Sequence, residues 1–195
     1  MQKLDDIKLY GRAKGFPIIL DEGANFLCDF VATQKPKTIL EIGTAIGYSG
    51  SLMLLNCDAK LTTIEINEDT AQIAKTNFEQ MELTDRVQVI VGDAGNVLMT
   101  LDNKYDMIFL DGPKGQYIKY LPTLLTLLNK SGYLVADNVL FRGMVLDGRP
   151  VEKRYKTLVN NLKHYLEEIN EYTKNKVVES ELLHISDGIS VVKMN

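Results

Sequence analysis

Cysteine and histidine are scarce: the 195 residues hold two of each, Cys28 and Cys57, His164 and His184. So few thiol and imidazole groups, so far apart, do not make a zinc centre of cysteine and histidine. Both cysteines stand among apolar residues of predicted helices or helix ends, which suits buried, reduced thiols. His164 falls in a helix and His184 near a strand end, as structural or solvent-facing residues. Long apolar runs are also missing, so no segment is expected to span a bilayer. Met1-Gln2-Lys3-Leu4-Asp5-Asp6 lacks the basic head and apolar core of a signal peptide, which predicts a soluble cytoplasmic protein. Positive charge is in deficit: 22 Lys and Arg against 26 Asp and Glu leave a net −4. Non-specific nucleic-acid binding wants a basic footprint, so such a partner would need a local patch. There is no internal repeat, no low-complexity tract and no linker rich in Gly, Ser or Pro.

What is present is an apolar share of 45%, enough for one α/β domain, predicted over residues 1–195, with a full core. Helical and extended segments alternate, the pattern of a parallel sheet with helices on both faces. Residues 22–33 read as an amphipathic helix, with Phe26, Leu27, Phe30 and Val31 on one side and Pro36 beyond its end. Thr38–Ile42 is a buried strand, followed by a turn over Gly43–Gly47 and a helix through Leu55. Strands are predicted at 61–66, 87–91, 105–110 and 133–136, the last after a turn at Ser131-Gly132. Helices open at Asn67 or Glu68 and run over 117–128. Leu158, Leu162, Tyr165, Leu166, Ile169 and Tyr172 recur at helical spacing. Two extended runs, 177–185 and 189–194, flank Asp187-Gly188, a hairpin signal.

Polar residues gather where these strands end. Glu41-Ile42-Gly43-Thr44-Ala45-Ile46-Gly47 joins a strand to a helix, and its glycines permit a tight turn and close approach of a ligand. The spacing Glu-x-Gly-x-x-x-Gly differs from the dinucleotide pattern and better suits a cofactor bearing an amino-acid carboxylate. Glu65 follows about twenty residues later, where an acid can accept from both hydroxyls of a ribose. Asp93, just past the third strand, is placed to meet an adenine amine. Each acid alone reads equally well as a loop residue or helix cap. Together they line one sheet edge, where open α/β sheets bind ligands. Asp111 and Asp137-Asn138 end two strands expected to be neighbours. Two carboxylates and an amide oxygen make a hard donor set of charge −2, suited to Mg²⁺ or Mn²⁺ over Zn²⁺ or Cu²⁺. Lys114 lies three residues beyond Asp111, and a nearby dication should lower its pKa and make it a base.

The stretches 40–49, Asp111-x-x-Lys114-Gly115-Gln116-Tyr117 and 137–143 resemble the metal-dependent O-methyltransferases, the family of the catechol and caffeoyl-CoA enzymes, from about Phe16 to the C-terminus. Within that family the likeness is greatest to the bacterial tRNA 5-hydroxyuridine methyltransferases. It is carried by 137–143, Lys114–Tyr117, Lys153-Arg154-x-Lys156 and the closing Gly188-Ile189-Ser190. The resemblance implies a Rossmann-like seven-stranded sheet, mostly parallel with an antiparallel C-terminal hairpin. It implies S-adenosylmethionine as methyl donor, with Glu41, Gly43 and Ser49 at its methionine part, Glu65 at the ribose, Asp93 and Ala94 at the adenine, and Asp111 at the cofactor's edge. It also implies a divalent metal on Asp111, Asp137 and Asn138, Lys114 as the catalytic lysine, and commonly a homodimer. Two departures stand out: a short N-terminus, with the leading helix reduced or missing, and Asp-Gly-Pro-Lys where alanines are more usual, Pro113 stiffening that loop.

The expected reaction is in-line methyl transfer to a substrate with two neighbouring oxygens, either 5-hydroxyuridine in the tRNA anticodon loop or a catechol-like phenol. For RNA, the base must leave its stack. Arg142, Arg149, Lys153, Arg154, Lys156 and Lys163 form a basic stretch for anticodon phosphates, and Tyr48, Tyr117 or Phe141 is a candidate to stack a base. A cofactor-binding module without catalysis, and a nicotinamide dehydrogenase, fit the motifs less well.

Overall fold

The computed structural model describes residues 2–146, 148 and 150–195. The chain forms two compact units, Met1–Thr100 and Leu101–Asn195.

The first unit begins with a helix that the sequence reading has as reduced or missing: α1 spans Gln2–Lys14 and packs on a later helix, α3 (Tyr48–Asn56). Its Ile7 is buried while Leu9 and Tyr10 face solvent. Then come α2 (Asp21–Gln34), β1 (Thr38–Ile42), α3, β2 (Lys60–Glu65), α4 (Glu68–Gln80), β3 (Val87–Val91) and α5 (Ala94–Leu98). Local chemistry sets these boundaries. Asp21 and Glu22 sit in the first turn of α2, where carboxylates oppose the helix dipole. At its far end Lys35 turns left-handed, its N–H closing on Val31 O, and Pro36 follows. Asn67 caps α4, its side-chain oxygen accepting from Thr70 N–H at 2.8 Å. The strands pair in parallel, Glu41 against Thr63 and Glu65 against Val91. β1 is almost wholly buried, as a strand covered on both faces must be.

The second unit holds β4 (Tyr105–Leu110), α6 (Tyr117–Leu127), β5 (Leu128–Ala136), α7 (Lys156–Lys174), β6 (Val178–Leu183) and β7 (Ile189–Met194). β4 and β5 are parallel, with Leu110 opposite Ala136. β7 pairs antiparallel with both β5 and β6, the hairpin announced by Asp187-Gly188. β5 starts five residues before the expected strand. The turn residues lie inside it as an irregularity: pairing jumps from Tyr105↔Leu128 to Met107↔Tyr133, with Ser131 at φ 61°. α7 buries Val159, Leu162, Tyr165 and Ile169 along one side, spacing that matches its apolar stripe. Strand order is β3-β2-β1-β4-β5-β7-β6, the seven-stranded, mostly parallel sheet with an antiparallel C-terminal hairpin. No helix among the described residues is long and apolar enough to cross a membrane.

Candidate active site

In the first unit the turn after β1 is built around a buried carboxylate. Glu41 has no exposed surface. Its Oε1 accepts from Ser49 Oγ at 2.5 Å and its Oε2 from Thr63 Oγ1 at 2.6 Å. Because Thr63 spends its proton on Glu41, Thr44 Oγ1, 2.6 Å from Thr63 Oγ1, must be the donor to it. A carboxylate with no water needs such charge-assisted donors. Glu41 and Ser49, both expected at the cofactor's methionine part, thus bind each other and pin β1 to α3. Gly43 and Gly47 hold φ of 102° and 79°. At Gly47 a Cβ would lie 2.9 Å from the Phe78 ring, so both backbone and space require glycine.

Glu65 ends β2 half-exposed. Its Oε2 accepts from Ala45 N–H at 2.9 Å and its Oε1 from Asn67 N–H at 3.0 Å. A carboxylate has about four acceptor positions, so two backbone donors orient it and leave capacity for ribose hydroxyls. Asp93 is exposed and caps α5, with Oδ1 accepting from Asn96 N–H at 3.1 Å, and Ala94 behind it is buried. For Asp93 the helix-cap role is realised through Oδ1.

In the second unit Asp111 and Asp137 follow the paired residues Leu110 and Ala136, so both emerge at the same end of β4 and β5. Asp137 N–H donates to Leu110 O at 3.1 Å, closing the ladder one residue past the strands. Asp137 is 1% exposed. Burial, then the negative charge of Asp111, push its pKa up to about 6. Asn138 N–H donates to its Oδ1 at 2.8 Å, and Asn138 itself turns left-handed, φ 57°. Beneath them Tyr117, fully buried, donates its phenol proton between two carbonyls, Leu110 O at 2.9 Å and Asp137 O at 3.2 Å.

Lys114 is held by Asp111. Its Nζ stands 2.5 Å from Asp111 Oδ1, with little of either side chain exposed. Burial works against the ammonium, but Tyr117 and the Asp111 carboxylate outweigh it and hold the pKa above the ordinary lysine value. That direction belongs to the lysine paired with Asp111; the depression expected of Lys114 is for a lysine beside a dication. Asn161, on α7, supports this loop by donating to Gly115 O at 2.7 Å.

No group of three or more His, Cys, Asp or Glu side chains suited to a metal occurs among the described residues. The set expected here has two carboxylates and one amide. Its chemistry fits a hard dication: the donors are all oxygens, and Asp137 is a buried carboxylate, raised first by burial and then by the charge of Asp111, that a cation would help keep ionised.

Of the proposed stacking rings, Tyr48 and Tyr117 are buried at 5% and 0% exposure and cannot stack a base, which leaves Phe141. In the basic stretch Arg142, Lys153, Arg154 and Lys156 are exposed and Lys163 is half-buried, while Arg149 lies outside the described residues. Both histidines are exposed and both cysteines half-buried, free thiols with pKa raised by burial. Sequence reasoning did not single out Asp187 beyond its turn. Its Oδ1 accepts from Arg142 N–H at 2.5 Å. Nor did it single out Tyr155, whose ring meets Phe141 edge-on. No local motif marks either one.

Comparison with known proteins agrees with these features. The catechol O-methyltransferase of Sus scrofa is 41% identical over 124 residues, a match covering 58% of this chain and 66% of that enzyme. The chain thus spans just under two thirds of that relative's length. Caffeoyl-CoA O-methyltransferase 3 of Nicotiana tabacum is 30% identical over 182 residues, 89% of this chain and 74% of that one. Among solved structures, the O-methyltransferase of Bacillus cereus in complex with SAH superposes with a TM-score of 0.87 at 25% identity, covering 100% of this chain and 91% of that one. Residues 11–195 match the family described as O-methyltransferase, and the chain belongs to that family.

Proposed function

We propose that this protein is an S-adenosylmethionine- and divalent-metal-dependent O-methyltransferase that converts 5-hydroxyuridine at the tRNA wobble position to 5-methoxyuridine. The observation that carries the RNA reading is the convergence of three stretches that are distant in the chain and resemble the tRNA enzymes. Val139 N–H donates to Gly188 O and Leu140 N–H to Asp187 O, both at 2.9 Å. Arg142 lies over Tyr155, next to Arg154. The stretch after Asp137 is therefore anchored on the buried closing turn and carries Arg142 to the exposed basic segment before α7, next to the paired carboxylates.

S-adenosylmethionine would supply an electrophilic methyl group, with Glu65 orienting its ribose and the Glu41–Ser49 turn closing on its methionine part. A divalent cation on Asp111, Asp137 and Asn138 would lower the pKa of the substrate hydroxyl and fix its approach. Asp137 must be ionised for that role, which its pKa near 6 allows at neutral pH. Lys114 Nζ is the group assigned to take the hydroxyl proton, and to do so it must first release its own ammonium proton to solvent, which weakening of its ion pair with Asp111 would favour. A cation held there would draw on the same Asp111 carboxylate that holds the lysine. Tyr117, fixed on two carbonyls, keeps both strand ends in place throughout.

A second reading, methylation of a catechol-like phenol, is favoured by the 41% identity to a catechol O-methyltransferase. Both substrates offer two neighbouring oxygens. The test is nucleoside mass spectrometry of 5-hydroxyuridine tRNA incubated with protein, S-adenosylmethionine and Mg²⁺, beside a catechol reaction, each repeated with EDTA and with Asp137→Ala. Methoxyuridine that disappears with EDTA and with the variant is expected. Methylated catechol with unchanged tRNA would overturn the RNA reading in favour of the small-molecule one.

A further inference from the structure

The loop after Asn138 turns back through a costly backbone. Phe141, Arg142 and Gly143 take φ of 42°, 56° and 72° in succession. For the first two residues this left-handed conformation is unfavourable and must be over-determined by the surroundings. Asp187 supplies much of that restraint: its carboxylate accepts from the N–H of Arg142 at 2.5 Å. Leu140 N–H donates to its carbonyl.

What the strained turn presents is a cluster of rings and guanidinium planes. The Phe141 and Tyr155 ring centres are 5.1 Å apart, edge to face at 71°. The Arg142 guanidinium carbon lies 5.7 Å from the Phe141 centre and 5.5 Å from that of Tyr155, and Arg154 lies 4.6 Å from Tyr155. Arg142 and Arg154 are exposed, and the two rings are half-buried. Glu152 engages Arg154 through Nε at 2.9 Å, an exposed pair that solvent weakens. With Lys153 and Lys156 alongside, this is a local concentration of positive charge on a chain of net charge −4.

We propose that Phe141, Arg142, Tyr155 and Arg154 form a ledge that holds the unpaired nucleotide flanking the methylated base. Its base stacks on a ring or guanidinium plane and its phosphate is taken by the arginine forks. The proposal rests on the tRNA reading above and deepens it by naming the residues that select an RNA strand over a free phenol. The chemistry matches how proteins hold single strands: stacking platforms are sequence-tolerant, worth about 1–3 kcal/mol per base, and arginine combines a planar face with a bidentate phosphate fork. Asp187 is a positioning residue here, since it acts through the backbone of Leu140 and Arg142.

The test uses the full chain with tRNA. Arg142→Ala/Arg154→Ala should raise KM for tRNA at least tenfold with a much smaller change in kcat. It should also flatten the dependence of log Kd on log salt by about one to two units, the value expected for losing two phosphate contacts. Unchanged S-adenosylmethionine binding checks the fold. Arg142→Lys/Arg154→Lys should restore the salt dependence but not the full affinity, because lysine keeps the charge and loses the plane. Asp187→Ala should raise KM for tRNA as well, with partial rescue by Asp187→Asn, which keeps an acceptor. An alanine double variant with wild-type KM and salt dependence, on a protein that does methylate tRNA, overturns the ledge and leaves the tRNA reading standing. A wild-type protein that neither binds nor methylates tRNA overturns both.

Discussion

Gly188→Ala should be far more damaging than one added methyl suggests. Gly188 holds φ 86°, and a Cβ there would fall 2.3, 2.8 and 2.9 Å from Leu140 Cγ, Cδ1 and Cβ. No rotation of Leu140 relieves the contact with its own Cβ, so the backbone must move. The left-handed conformation costs alanine about 1–2 kcal/mol, and forcing a methyl into packed space typically adds about 1–3 kcal/mol. The expected destabilisation is about 2–5 kcal/mol, or roughly 4–20 °C in Tm for a chain of this size. The movement also pulls on Val139, whose N–H donates to Gly188 O at 2.9 Å, one residue from Asn138. Metal binding should therefore weaken along with stability. The assay is urea denaturation of Gly188→Ala, Leu140→Ala and the double variant, with Mg²⁺ binding by calorimetry. Deleting most of the Leu140 side chain removes the two shortest contacts, so the double variant should be clearly less destabilised than the sum of the singles. A Gly188→Ala protein within 1 kcal/mol of wild type, or strict additivity in the cycle, would refute the steric argument.

Asp137→Asn should stabilise the metal-free protein at pH 7.5 while abolishing its Mg²⁺ binding. The folded pKa of about 6 exceeds the ordinary value of 3.8, so the folded state binds the proton more tightly and stability falls as pH rises between the two values. The gain from the amide should accordingly be present at pH 7.5 and vanish below pH 4, and equal gains at both in thermal melts would refute it. Thr63→Val removes one donor from buried Glu41 and the acceptor of Thr44. A loss of about 2–4 kcal/mol in urea denaturation is expected, and a change below about 0.5 kcal/mol would mean that the carboxylate finds another donor.

Much of the frame is legible in the residues themselves. Thr38–Ile42, Val87–Val91, Tyr105–Leu110 and Ile189–Met194 form strands at the residues read from their apolar runs. Each is flanked by glycine, proline or acidic residues that end it. The α7 stripe and the Asp187-Gly188 hairpin follow from the same local rules. What escapes reading depends on contacts between distant segments. α1 carries Gly11 near its end and leaves Leu9 and Tyr10 in solvent, so neither propensity nor a clean apolar face marks it. The early start of β5 depends on Tyr105 pairing with Leu128 across the sheet. At the site, residue types pointed to a carboxylate pair at two strand ends, and the structure puts Asp111 and Asp137 there. The ion pair of Lys114 with Asp111 is not legible, because three residues of spacing do not show which side chains meet. The positioning roles of Tyr117 and Asp187 are invisible for a related reason: both act on backbone groups of segments far away in the chain.

The grip of Tyr117 bears on how any mutagenesis of this centre is read. Its phenol proton goes to the main-chain oxygens of residues 110 and 137, and every substitution at those positions keeps those oxygens. Exchanging Asp137 therefore changes the donor chemistry while leaving the strut under it intact. A lost activity in that variant reports on the missing carboxylate and not on a collapsed scaffold. Tyr117→Phe provides the complementary control, with all the proposed ligands present and the strut removed.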